Sequence, residues 1–93
     1  MIRSFADKAT ERLWRREHVA SLDARVERVA LRKLRQLGAA ASLEDLRAPP
    51  GNHLERLRGD RSGQHSIRIN AQWRLCFVWT AAGPEEVEIV DYH

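Results

Sequence analysis

Arginine is the residue type whose number and placement first suggest a chemistry for this chain of 93 residues. Only Lys8 and Lys33 are lysines, so fourteen of the sixteen basic residues are arginines. Residues 1–80 contain all sixteen together with nine acidic residues, which gives this part a formal charge of +7. The planar guanidinium fork matches the oxygens of a phosphate. We therefore expect an anionic partner, and nucleic acid is the first candidate.

A second reactive group is the segment Asp91-Tyr92-His93. The imidazole of His93 titrates near neutral pH, so it can give or take a proton, and the adjacent terminal carboxylate favours its charged form. In an extended strand Asp91 lies on the same side as His93 and can orient the imidazole, whereas Tyr92 points to the other side. The tyrosine ring could stack on a base or pack at a sheet edge. A terminal histidine could equally be a frayed end.

The composition bounds the class of protein. Hydrophobic residues make up 43% and charged residues 31% of the chain, which is typical of a small globular domain, and we expect a single domain over residues 1–93. No apolar run is long enough to span a membrane, and the polar start has no signal peptide pattern. Cys76 is the single cysteine, and no Cys/His spacing suggests zinc. We expect a cytoplasmic protein with no metal site, cofactor or membrane association.

The first half predicts two helices. Asp7 can cap a helix over residues 9–16, and Ser21 can cap a longer one over residues 22–37 that Gly38 ends. The second helix has an apolar stripe of Leu22, Val26, Val29, Ala30, Leu34 and Leu37. Four arginines cluster on nearly the opposite side: Arg25, Arg28, Arg32 and Arg35. They form either a solvated surface or a row of contacts to the phosphates of a large RNA.

The second half predicts a sheet. Ser42-Leu43-Glu44-Asp45 resembles a capping box that starts one helical turn, and Pro49-Pro50-Gly51-Asn52 ends it. After this break the hydrophobic period changes to two, which predicts strands over residues 54–58, 64–70, 73–80 and 86–92, besides a short opening strand over residues 2–5. The predicted fold class is therefore α+β, with the helices covering one face of a four- to five-stranded, mainly antiparallel sheet.

Alternation along the strands separates two faces of this sheet. Ile67, Leu75 and Phe77 share the apolar side, with His65 as a core or rim residue there, and Cys76 is expected to be a buried inert thiol. Arg68 and Arg74 then project from the opposite face. Because an arginine in the centre of a sheet is costly for a plain scaffold, we interpret this face as one that receives a phosphate backbone.

The whole chain resembles a known family. The residues that carry the resemblance are Arg58-Gly59-Asp60-Arg61-Ser62-Gly63, Ser66-Ile67-Arg68-Ile69-Asn70, Trp73-Arg74-Leu75-Cys76-Phe77 and Asp91-Tyr92-His93, with support from Met1-Ile2-Arg3-Ser4-Phe5 and Pro49-Pro50-Gly51-Asn52. Together they are similar to the HigB-type toxins, or plasmid maintenance system killer proteins, of the RelE/ParE superfamily. The resemblance implies a RelE-like fold and the toxin of a type II toxin–antitoxin pair. It also implies a HigA-type helix-turn-helix antitoxin in a hetero-oligomeric complex, and cleavage of mRNA in the A site of the ribosome, beside 16S rRNA.

For such an activity we assign roles to the residues above. RNA cleavage by the 2′-hydroxyl needs a proton acceptor, stabilisation of the phosphorane charge and a proton donor. Arg58, Arg61 and Arg74 suit charge stabilisation, Arg68 and His53 are candidates for substrate contact, and His93 suits proton transfer with Asp91 and Tyr92 beside it.

The sequence departs from its relatives at two positions. Some related toxins have a lysine where Arg58 stands, and some have a histidine where Glu55 stands, so the base remains open between His93, Glu55 and His53. Glu55 could also be an ordinary solvated carboxylate, and His53 a loop residue. Two alternatives to a nuclease remain: a ParE-like inhibitor of gyrase, and a weakened toxin that mainly binds its antitoxin.

Overall fold

Two helices pack on one face of a four-stranded antiparallel sheet, which confirms the predicted α+β class. The computed structural model describes residues 1–92, and His93 lies outside the described residues. The strands follow one another in space in the order β1-β2-β3-β4. The elements are α1 (Lys8–Trp14), α2 (Ala24–Ala39), β1 (Glu55–Arg56), β2 (His65–Arg68), β3 (Trp73–Thr80) and β4 (Gly83–Asp91), with short 3₁₀ turns at Leu43–Arg47, Pro50–Asn52 and Gly59–Arg61.

Side-chain caps decide where the helices begin. Asp7 caps α1 as predicted, since its Oδ1 accepts a hydrogen bond of 2.7 Å from the Thr10 backbone N–H. The prediction that Ser21 caps α2 is wrong: Asp23 does so, with Oδ1 2.9 Å from the Val26 nitrogen. A carboxylate accepts such a bond at least as well as a hydroxyl, so the helix begins two residues later than expected.

Gly38 does not end α2 but lies within its last turn. A Cβ atom at this position would stand 3.0 Å from the ring of Trp14, closer than ordinary van der Waals contact. The glycine therefore serves the close approach of the two helices instead of termination. The helix ends after Ala39, where Ala40 turns to an extended conformation.

The opening segment reaches the sheet only in part. Phe5 forms a single parallel bridge with Val87, and the Arg3 nitrogen donates to the Pro84 carbonyl oxygen at 2.8 Å. This contact covers the outer edge of β4. Gly83, at the start of β4, has φ +128°, and a Cβ there would collide with the backbone oxygen of Met1.

The strands differ from their predicted bounds at the ends. β1 is shorter than residues 54–58, and β2 shorter than residues 64–70, because the chain leaves the pleat on both sides of them. β4 starts three residues earlier than expected, since Gly83 pairs with Thr80 across the tight turn. The register between β3 and β4 shifts near Phe77, where Glu86 takes a left-handed conformation with φ 53°.

The core lies between the helices and the sheet. Leu34 and Leu37 of α2 meet Ile67, Leu75 and Phe77 of the strands, and all five are fully buried. Each such side chain stabilises the fold by roughly 1.5–3 kcal/mol through the removal of apolar surface from water. The four arginines opposite the apolar stripe of α2 are all exposed. Within residues 1–92, neither helix has the length and apolar character needed to cross a bilayer.

Candidate functional site

Arg74 is the centre of the sheet face that the helices leave uncovered, which we call the outer face. This residue is 8% exposed, which is unusual for an arginine. The Nε atom donates to Ser66 Oγ at 2.8 Å, Nη2 donates to the His53 carbonyl oxygen at 2.6 Å, and Nη1 lies 3.4 Å from Glu55 Oε1. The guanidinium is therefore held in one orientation by two segments of the chain, residues 53–55 and β2.

The strand ends sort the C-terminal residues onto opposite faces. Tyr92 lies on the outer face, where its ring centroid is 5.8 Å from Arg74 Cζ. Asp91 pairs with Trp73, whose ring belongs to the helix side, and its Oδ2 accepts a hydrogen bond of 3.2 Å from Gln72 Nε2. The structure thus brings Tyr92, and not Asp91, to Arg74. That Asp91 orients His93 stays a prediction.

Arg61 forms a second cationic position on the outer face. Its Nη1 donates to Glu88 Oε1 at 2.7 Å and to Gln64 Oε1 at 3.1 Å. The hydrogen bond to Glu88 raises the pKa of the Arg61 guanidinium above its usual value. Arg61 belongs to the 3₁₀ turn Gly59–Arg61, so the turn carries this charge over β4.

Cys76 is the cross-strand partner of Ser66 on β2 and of Glu88 on β4. It is fully buried, and burial is the largest influence on its thiol, whose pKa is raised. Arg61 and Arg74 act in the opposite direction through their charges, while Glu88 raises the pKa further. The prediction that this thiol is buried is confirmed.

The other residues that the sequence predicted for the site are Arg68, Arg58 and His53. Arg68 is the cross-strand partner of Arg74, so two like charges share one face, an unfavourable pairing that an anion would relieve. Arg58 is exposed and precedes the turn that carries Arg61. The side chain of His53 is exposed, and its backbone, through the carbonyl group, is the part that contacts the site.

Sequence reasoning missed the groups that hold the two arginines. Ser66 is fully buried and was named only as part of a family motif, and Glu88 was not singled out. The alternation of β2 and β3 places Ser66 on the same face as Arg74, which could have suggested their bond. The pairing of Glu88 with Arg61, 27 residues away, leaves no such local signal.

The other charged surface is the exposed side of α2. Within residues 1–92, Arg25, Arg28, Arg32 and Arg35 form no ion pair, in contrast to Arg61 and Arg74. That this row contacts the phosphates of an RNA stays a prediction. In the same part of the chain, no three His, Cys, Asp or Glu side chains are grouped as metal ligands.

Comparison with known proteins gives three findings. The profile of a family described as a RelE-like toxin of the type II toxin-antitoxin system HigB matches residues 3–93. Toxin HigB-1 of Vibrio cholerae is 50% identical over 54 residues, which is 58% of this chain and 57% of that toxin. An uncharacterised protein of Haemophilus influenzae is 44% identical over 50 residues, 54% of this chain and 50% of that protein. The chain thus spans about half the length of the curated relatives it matches.

Proposed function

Because the chain belongs to the HigB-like family of type II toxin–antitoxin toxins, we propose that it is a ribosome-dependent endoribonuclease that cleaves translated mRNA in the A site and arrests growth. A toxin of a type II system implies an antitoxin partner. We propose a HigA-type helix-turn-helix antitoxin that forms a hetero-oligomeric complex with the toxin in the cytoplasm. The observation that carries the nuclease proposal is the oriented guanidinium of Arg74 beneath the ring of Tyr92.

The proposed reaction is attack of the RNA 2′-hydroxyl on the adjacent phosphate. A base takes the 2′ proton, the 2′ oxygen forms a bond to phosphorus, and the bond from phosphorus to the 5′ oxygen breaks. An acid protonates the departing 5′ oxygen, which leaves a 2′,3′-cyclic phosphate and a 5′-hydroxyl. The step needs no metal ion because side chains take and give the protons and arginines stabilise the phosphorane charge.

Arginines stabilise the phosphorane in this proposal. Arg74 is already oriented, which avoids the cost of ordering it at the moment of reaction. Arg58 and Arg61 add charge from the neighbouring turn. The carboxylate of Glu55 is 3.4 Å from Arg74 and 55% exposed, so a phosphate oxygen can replace it on the guanidinium by displacing a solvated group.

Proton transfer is assigned to His93, oriented by Asp91, since imidazole exchanges protons near neutral pH. Glu55 is the alternative base, because its carboxylate stands beside the arginine that would hold the phosphate. The ring of Tyr92 stacks on a base of the mRNA. Arg68 and His53 contact the flanking nucleotides.

The test is cleavage of a defined mRNA by purified protein, with and without programmed ribosomes. Primer extension locates the cut. We expect cleavage only with ribosomes, and its loss in a His93→Ala variant that still binds its antitoxin. Cleavage retained in folded His93→Ala protein would exclude His93 and leave Glu55→Gln as the next variant to measure.

Two other activities are distinguishable by the same preparation. A ParE-like inhibitor would block gyrase supercoiling and leave the mRNA intact. A weakened toxin would bind its antitoxin and show neither effect. Either result with folded protein would contradict the nuclease proposal.

A further inference from the structure

A buried lysine on α2 begins a chain of polar contacts that leads to Arg74. Lys33 is 8% exposed and lies on the core side of the helix, beside Ala30, Leu34 and Leu37. Burial, with a smaller effect from Arg32, lowers the pKa of its amine. Burying a cation is costly unless it is hydrogen-bonded, and the Nζ atom donates to Asn52 Oδ1 at 2.5 Å.

Asn52 ties the segment between α2 and β1 to the helix. Its side chain is fully buried, and its Nδ2 atom donates to the carbonyl oxygens of Leu46 at 3.1 Å and Ala48 at 3.2 Å. The same amide is 3.3 Å from Gln36 Oε1 on α2. Two of its partners, Lys33 and Gln36, belong to α2, and the other two belong to the connection, so this one side chain joins the connection to the helix.

His53, the residue after Asn52, connects this segment to Arg74. His53 has φ 44° and ψ 56°, a left-handed conformation that is strained for a residue with a side chain and persists only where its surroundings impose it. In this conformation its carbonyl oxygen accepts the 2.6 Å hydrogen bond from Arg74 Nη2. The direction of this carbonyl depends on how the preceding residue, Asn52, is held.

We infer that Lys33 and Asn52 are positioning residues for Arg74. Together they fix the segment that ends at His53, so that its carbonyl holds the guanidinium on the outer face in the orientation that receives a phosphate. The inference rests on the proposed function, because that function gives Arg74 the phosphate to bind. It assigns a catalytic consequence to two side chains that do not touch the outer face.

The first experiment observes Arg74 directly. Guanidinium ¹H–¹⁵N spectra of the free toxin distinguish an arginine whose Nη atoms are held from one whose terminal group rotates. Lys33→Met removes the amine while it keeps an unbranched side chain of similar length. We expect the Arg74 Nη signals to average in this variant, while Nε remains protected by its bond to Ser66.

Two controls separate positioning from a loss of packing. Lys8→Met removes the other lysine of the chain, which is exposed. Leu31→Ala weakens α2 at a residue that lines the groove toward α1 instead of the segment that contains Asn52. Both are expected to keep the Arg74 spectrum of the wild type. In ribosome-dependent cleavage, Lys33→Met lowers the single-turnover rate by about tenfold, as misplacement of a catalytic group does, and the controls do not.

An Arg74 spectrum of Lys33→Met that matches the wild type would overturn the inference, even if the wild type cleaves mRNA. If Lys33→Met does not fold, Asn52→Asp replaces it. This variant keeps an oxygen for Lys33 and loses the donors to Leu46 and Ala48. The Arg74 spectrum and the single-turnover cleavage rate are then measured in the same way. A wild type that cleaves no mRNA would contradict the nuclease proposal alone, because the spectra still report whether Lys33 and Asn52 position Arg74.

Discussion

The ring of Tyr92 lies over the guanidinium of Arg74, with 5.8 Å between the ring centroid and Arg74 Cζ. Tyr92 is 38% exposed, whereas Arg74 is 8% exposed. An incoming nucleotide would therefore meet an aromatic surface backed by a fixed positive charge. Such a pair can bind a base by stacking and hold the adjacent phosphate from below.

Shortening Tyr92 should weaken RNA binding. Stacking of a base on an aromatic side chain contributes about 1–3 kcal/mol, so Tyr92→Ala is expected to lower the affinity for a short single-stranded RNA about tenfold. Tyr92→Phe keeps the ring and should keep most of the affinity. Fluorescence anisotropy with a labelled RNA measures both variants. Equal losses in the two would assign the contact to the hydroxyl group instead of the ring.

Freeing Arg61 should strengthen RNA binding. In Glu88→Gln the guanidinium loses the carboxylate at 2.7 Å, so the charge becomes available to phosphate, and we expect a several-fold gain in affinity. The free energy of unfolding should fall by less than about 1 kcal/mol, since this ion pair is partly exposed to solvent.

Glu86→Gln is the matched control for this charge, because it removes the same unit of negative charge from an exposed side chain of the same strand. An equal gain in affinity in this variant would show that net charge alone produces the effect.

Acid should destabilise the fold through His65. Burial, with a smaller contribution from Arg56, lowers the pKa of this imidazole below 6.5. The unfolded chain therefore binds a proton more readily than the folded one, and the stabilisation is present above pH 6.5 and lost as the pH falls through the lower folded value. Urea unfolding at several pH values from 7.5 to 5.0 gives the free energy of unfolding at each pH. This free energy should fall less steeply with decreasing pH in His65→Gln than in the wild type.

The control for the acid effect is His18→Gln. The side chain of His18 is 72% exposed, and its Nδ1 atom lies 2.9 Å from Glu27 Oε2. An identical pH slope in wild type and His65→Gln would exclude the buried histidine as the source.

Adding a methyl group at Gly83 should destabilise the protein. Its φ of +128° is open to glycine, and a Cβ would collide with the carbonyl oxygen of Met1. We expect Gly83→Ala to cost about 1–3 kcal/mol, measured as a lower Tm by circular dichroism. Gly51→Ala, where a Cβ would have no atom within 4 Å, should leave Tm unchanged.

Local patterns predicted most of the fold. The helical stripe around Leu34 and the alternation of Ile67, Leu75 and Phe77 indicated the core, and Asp7 marked the start of α1. The cap at Asp23 was missed because Ser21, two residues earlier, is an equally good capping residue by type. Propensity alone cannot choose between two such neighbours when tertiary contacts decide.

The candidate site was predicted less completely than the fold. The roles of Arg61 and Arg74 were assigned for the activity that the family resemblance implies and stay predictions, and Tyr92 was assigned to the side of the strand opposite Asp91. The contacts of Arg74 with His53 and Glu55 could not be anticipated, because His53 lies 21 residues away in the chain and outside the strands. Arg74 was expected to project from the sheet, and its near-complete burial depends on those same contacts.

The contact between the opening segment and β4 has a consequence for biosynthesis. β4 is made after every other described element, yet it pairs with β3 on one side and with Phe5 on the other. Before β4 leaves the exit tunnel, the earliest residues have no strand to pair with and Tyr92 is absent from Arg74. A nascent chain therefore cannot assemble the outer face while its last strand is still being translated.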